Sequence, residues 1–111
     1  MASDPNAIRG LPVRPWGAVH GVSFSATAGR NATAISVSAD VCSVRVLDGT
    51  AYFKVGDSAV VATADLDDSV FIDSVDGWLE VVTVGDSKYV SFVAAADSPA
   101  VAGQIAERVI V

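Results

Sequence analysis

Between residues 33 and 97 the chain is a series of short apolar runs, TAISVSA, CSVRVL, AYFKV, SVFID, WLEVVTV and KYVSFVA, cut by turn-forming residues every eight to twelve positions. Within each run the apolar residues recur at every second position, the period of a half-buried strand. Ile35 and Val37 share a face against Ser36 and Ser38, and Cys42, Val44 and Val46 share a face against Ser43 and Arg45. Leu79 pairs in the same way with Val81, and Val70 with Ile72. Asp48-Gly49 predicts a hairpin joining CSVRVL to AYFKV. Gly56-Asp57-Ser58, Val75-Asp76-Gly77 and Gly85-Asp86-Ser87 mark further turns. No 3.6-residue apolar stripe persists long enough for a helix. The pattern predicts an all-β fold, an antiparallel β-sandwich or jelly-roll-like small barrel of about six or seven strands. SAVVATADLDDS reads as a connecting loop with a short edge strand at 60–63, and SPAVAGQIAERVIV as a final strand, at an edge of this domain or added to a neighbour's sheet.

The first 32 residues are written differently. They hold three of the four prolines, Pro5, Pro12 and Pro15, and four of the nine glycines. Proline removes ladder donors and glycine raises the entropy cost of ordering, so this stretch is a poor central strand. It predicts an extended N-terminal arm over 1–32 leading into a sandwich domain over 33–111. VHGVSFSA (19–26) suggests a short strand within the arm. Trp16, between Pro15 and Gly17, is large enough to need a surface to bury it, its own body or a neighbour's.

A chain of 111 residues fits one domain with one core. Apolar residues make up 51%, largely Ala and Val, and charged residues 18%, which leaves few charges to cover the surface. Surplus apolar surface points to a protein partner. The net charge of −6 is unevenly spread, +2 over 1–32 and −8 over 33–111. An acidic body argues against nucleic acid, which needs clustered Lys and Arg. A basic arm on an acidic body is suited to dock on its neighbour's body or another acidic partner. No run approaches the roughly 20 apolar residues of a membrane span, so no membrane partner is expected. The first residues have no apolar core behind a basic start and do not read as a secretory signal. The one cysteine, Cys42, excludes an internal disulfide and multi-cysteine metal motifs and reads as a buried thiol.

Nothing in the chain assembles a reaction centre. His20 is the sole histidine and lacks a cysteine or second histidine at ligand spacing. The glycines mark turns, and none cradles a phosphate. Asp65, Asp67, Asp68, Asp73 and Asp76 form an acidic cluster without the glycine and terminal glutamate of a helical-hairpin calcium loop, and read as a solvated loop face. Asn31-Ala32-Thr33 matches a glycosylation sequon. No enzyme activity, cofactor or metal is expected.

The run CSVRVLDGTAYFKVGDSAVVATADLDDSVFI, followed by GWLEVVTV and KYVSFVA, resembles small β-sandwich proteins encoded among the head genes of tailed bacteriophages. An apolar strand ending in an aromatic and glycine, a polar loop carrying Ala-Thr-Ala and an Asp-containing approach to the next strand carry the resemblance, over about 65 residues; the Pro-rich start and apolar C-terminus depart from it. It implies a capsid decoration (cement) protein or related virion component: a structural protein on the capsid surface, assembled in the host cytoplasm, with the major capsid protein or another virion protein as partner. A homo-oligomer, trimer or dimer, is expected. Residues 8–24 are the expected contact arm, with Arg9, Arg14 and Trp16 as anchors. The alternatives are a receptor- or carbohydrate-binding fibre module, with Trp78 and Tyr89 as its platform, and a head-tail adaptor.

Overall fold

The structure is a computed structural model and describes residues 17–108. Among these residues are eight strands: β1 (Val19–Ser23), β2 (Gly29–Arg30), β3 (Val41–Val46), β4 (Thr50–Gly56), β5 (Val70–Asp73), β6 (Leu79–Val82), β7 (Tyr89–Ala94) and β8 (Ala102–Arg108). They form two antiparallel four-stranded sheets. Sheet I has the order β1-β8-β3-β6 and sheet II the order β2-β7-β4-β5. Only β4 and β5 are neighbours both in sequence and in hydrogen bonding; every other step between consecutive strands crosses from one sheet to the other. This is the layout of a jelly roll, and the all-β sandwich expected from the strand periodicity is the fold observed. The one helical element among the described residues is a 3₁₀ turn at Ser74–Asp76, and no described helix is long and apolar enough to cross a membrane.

Alternation along the strands supplies the core. Cys42, Val44 and Val46 of β3, Ala51 and Phe53 of β4, Ile72 of β5, Val90 and Phe92 of β7 and Ile105 of β8 face inward and are buried. Phe92 is the largest of the fully buried side chains. Its ring stacks on Phe24 at 5.4 Å between centroids and tilts against Phe53 at 6.2 Å. Across the sandwich it lies on Gly103 of β8, where an added Cβ would sit 3.2 Å from the ring. The missing side chain at 103 lets a phenylalanine of one sheet rest on the backbone of the other.

Several local expectations are revised. Asp48-Gly49 does not close a hairpin: β3 belongs to sheet I and β4 to sheet II, so the turn carries the chain across the sandwich. Gly49 has φ of +78°, and a Cβ there would overlap the Ser98 carbonyl oxygen. The turn is therefore fixed by its contact with the 97–99 loop as well as by its own preferences. TAISVSA is not a strand: Ile35 is buried while Val37 is 89% exposed, so the two do not share a face. Residues 60–63 form no strand either, and Ala62 instead donates its N–H to Ser91 Oγ on the outer side of sheet II. The C-terminal strand exists but is central, paired to β1 on one side and β3 on the other. The part of the expected arm within the described residues belongs to the body, since β1 and β2 pair into sheets I and II. Arg9, Arg14, Trp16 and Val109–Val111 lie outside the described residues.

Replacing Phe92 with Ala is expected to lower unfolding stability by about 3–5 kcal/mol, because the ring is shared by β4, β7 and β8 and neither sheet can collapse onto the space. A fall in the urea midpoint at unchanged slope is the measurement that checks it.

Candidate functional site

The sandwich is closed unevenly. At one side β5 pairs with only the first part of β4, from Thr50 opposite Asp73 to Phe53 opposite Val70. Lys54, Val55 and Gly56 continue β4 without a partner from β5. In sheet I, β6 covers Val41 to Val44 of β3. Between these two short edge strands lies a groove of about 540 Å³ whose walls are Phe53, Val55, Val70, Leu79 and Val81. Val70 and Val82 at its rim are more than half exposed. Val55, Leu79 and Val81 are only partly buried against the core, so apolar surface remains open between two strand edges.

The stretch of chain that supplies β5 and β6 is strongly acidic. From Asp65 to Asp86 the sequence carries seven carboxylates and no Lys or Arg. The expected acidic cluster resolves into local structural tasks. Asp68 accepts from Lys54 Nζ at 2.6 Å, Thr63 Oγ1 at 2.7 Å and Ser69 Oγ at 3.0 Å, and these bonds, Lys54 foremost, hold its carboxyl down to about 2. Asp65 receives the Asp67 N–H, while Asp73 and Asp76 cap the 3₁₀ turn reciprocally. Among the described residues no three His, Cys, Asp or Glu side chains converge to hold a metal ion. With Lys54 neutralising Asp68, Glu80 is left as the charge on the groove wall.

Two other hollows were not visible in the sequence pattern. One, about 640 Å³, is lined by Tyr52, Phe71, Asp48, Asp73 and the 95–98 loop. Tyr52 and Phe71 are register partners on β4 and β5 and meet edge to face at 5.5 Å. The other, about 710 Å³, is lined largely by alanines and valines of the 25–28, 61–64 and 93–96 stretches, without a charged group to orient a ligand. The expected Trp78–Tyr89 platform is not formed. Trp78 lies under Arg45 by sheet I, at 4.5 Å, and Tyr89 under Arg30 by sheet II, at 4.4 Å. Arg45 and Tyr89 both point away from the core, so the two rings occupy opposite outer faces.

One end of the sandwich is closed by buried polar groups. Lys88 Nζ donates to the carbonyls of Ala39, at 2.9 Å, and Thr83. Asn31, fully buried, accepts from the Val90 N–H and donates to the Lys88 and Thr33 carbonyls, so the sequon side chain is committed to the fold. His20 Nε2 meets Glu107 Oε2 at 2.7 Å, and the Ser36 N–H donates to the same oxygen. Burial pushes the Glu107 carboxyl up, but the bonds from His20 and Ser36 outweigh it and the net shift is downward. Burial pushes the Cys42 thiol up, against a hydrogen bond with Thr83. That favours an inert thiol over a reactive one. The Gly17 N–H donates to the Glu107 carbonyl, and the Glu107 N–H to the Ala18 carbonyl, so this polar end also fixes where the N-terminal segment leaves the body.

A carboxylate whose pKa is lower folded than unfolded stabilises the fold above the ordinary glutamate range, and that contribution is lost as pH falls through it. The urea midpoint is therefore expected to fall as pH drops from about 6 to about 3. Glu107→Gln should flatten part of that slope, the remainder staying with groups such as Asp68. Equal slopes for the two proteins would contradict this account.

No protein-family model and no curated protein matches the chain. Among solved structures it is similar to a protein of Bacillus endospore appendages, described as a novel family of disulfide-linked pili, at 12% identity and a TM-score of 0.46, over 91% of this chain and 90% of that one.

Proposed function

We propose that this chain is a structural protein of a virion that binds and stabilises the capsid surface as a decoration protein, without catalysis of its own. The observation that carries the reading is the groove left open between β5 and β6, flanked by strand edges and exposed valines. Main-chain edges with apolar pockets between them are what an extended protein segment needs for strand addition. A body held by a sheet-to-sheet core can present such a groove without rearranging. The resemblance of the strand-and-loop pattern to phage head proteins directs the choice of partner to the major capsid protein or another virion protein. On this reading Arg9, Arg14 and Trp16 anchor a protein neighbour, and weak copies on one shell as a dimer or trimer gain avidity from effective concentration.

The hollow at Tyr52 and Phe71 favours a second reading, a receptor- or carbohydrate-binding module. Its aromatic surface offers a sugar ring a stacking face and its carboxylates offer hydrogen-bond acceptors.

Mixing the full-length protein with undecorated shells built from the same virus's major capsid protein separates the two. Saturable co-sedimentation and shells that withstand higher temperature are expected. Absence of co-sedimentation up to the solubility limit, with glycan binding that Phe71→Ala abolishes, would replace the decoration reading with the second one.

A further inference from the structure

We propose that the β5–β6 groove is filled by residues 8–16 of a second copy of this chain, so that each copy donates its N-terminal segment to the next copy's groove. The proposal rests on reading the chain as a member of an assembly and names the first partner of that site.

Charge is the first argument. The strip from β5 through the 3₁₀ turn to β6 is purely acidic, and Lys54 is already occupied by Asp68. Residues 8–16, IRGLPVRPW, carry Arg9 and Arg14 and no acid. Opposite charge steers the segment to the strip, while two acidic strips repel each other, which disfavours direct pairing of groove to groove. Side-chain chemistry agrees. Leu11 and Val13 are two apart and share one face of an extended chain, as the valine- and leucine-lined walls require. Pro12 between them is tolerated in a strand added at an edge, where one side needs no donor.

Reach decides between a chain's own groove and a neighbour's. The segment joins the body at Gly17, which pairs with Glu107 at the β1 end of sheet I, whereas the groove lies beyond β6 at the opposite edge. Crossing three strand spacings is about 14 Å, and descending from the outer face to the groove adds roughly half the 10 Å between sheets or more. Nine extended residues span at most about 30 Å. An intramolecular path over the outer face, around Trp78 and Arg45, leaves only about three residues to occupy the groove. A neighbour placed beside β1 can receive the segment directly. The four-residue edge strands β5 and β6 are about 13 Å long, so residues 10–13 fill the groove, with Leu11 and Val13 against its walls, and residues 14–16 bridge the bodies, whereas an intramolecular path would leave only residues 8–10 for it.

The test uses full-length protein in two defective forms. Arg9→Glu with Arg14→Glu spoils the donor and leaves the groove intact. Val70→Arg with Val82→Arg spoils the groove and leaves the donor intact; both positions are exposed, and an unchanged urea midpoint checks that the fold is kept. In sedimentation equilibrium at low salt the natural protein is expected to self-associate. Each variant alone should associate at least about tenfold more weakly, and raised salt should weaken the natural protein similarly. An equimolar mixture should form a one-to-one pair, because one intact donor then meets one intact groove. A monomeric natural protein, or variants that associate as it does, or a mixture that stays monomeric, each overturns the proposal. Shell binding is measured on the same samples. Shell binding by a monomeric natural protein defeats this inference and leaves the decoration reading standing, whereas self-association without shell binding does the reverse.

Discussion

The contact on which this jelly roll depends is the face of Phe92 lying on the backbone at Gly103. β7 and β8 are interior strands of opposite sheets, and their approach there sets how far apart the sheets stand. A side chain at 103 would press on the ring, 3.2 Å from the added Cβ, and on the Arg45 carbonyl at 3.1 Å, so the neighbours would have to give by a few tenths of an ångström. Phe24 and Phe53 complete an aromatic cluster with Phe92, and these three rings are all the buried aromatic volume among the described residues. The rest of the core is Val, Ile and Ala, with Cys42. Phe53 belongs to that cluster and also forms one wall of the groove between β5 and β6, whose other apolar walls are valines and a leucine.

The end near Glu107 is closed by a different kind of interaction. Lys88, Asn31, Thr83, His20 and Glu107 are polar groups whose burial is tolerable because each has partners, many of them backbone carbonyls and amides of the connecting loops. Such a network fixes loop positions more sharply than apolar packing does, since losing one bond strands its partner at a cost of about 1–3 kcal/mol. The point of departure of the N-terminal segment is tied to this network through Glu107, whose backbone holds Gly17 and Ala18 while its side chain holds His20 and Ser36. The base of that segment is thus held at one margin, while the groove lies open at the other.

How much of this was legible beforehand divides along a physical line. Strand periodicity depends on neighbours two residues apart, and it correctly grouped Cys42, Val44 and Val46 as one face, which is buried, and placed Ile72 in a strand. Which sheet a strand joins depends on contacts far along the chain. Asp48-Gly49 has local hairpin chemistry, yet β3 finds β6 and β8 while β4 finds β5 and β7, and the turn becomes a crossover. TAISVSA alternates as a strand should, but Ile35 is anchored through its N–H to the Lys88 carbonyl and buried, while Val37 stays exposed. The candidate site was hidden for the same reason. Val70, Leu79 and Val81 each read as ordinary strand residues, and only the pairing lengths of β5 and β6 show that the space between them is not filled. One signal was available: the run from Asp65 to Asp86 without a single basic residue spans both edge strands, and unbroken charge of one sign over two strands marks an edge that is protected from its own kind.

That protection bears on how copies of the chain can meet. A sheet edge with open apolar surface invites pairing with any other edge, and uncontrolled pairing leads to aggregates. Here the exposed margin carries carboxylates on the strands themselves, Asp73 on β5 and Glu80 on β6, with Asp76 between them. Two such margins repel, so the symmetrical contact that would bury the groove against itself is disfavoured, whereas a cationic extended strand is attracted. Base and acceptor also lie at opposite margins of one body. A contact made of unlike patches closes as a dimer only where both margins can meet their counterparts across one two-fold axis; otherwise it continues from copy to copy until the rotation closes a ring or an outside surface sets the count. On a regular shell, the spacing of capsid subunits would be that outside surface.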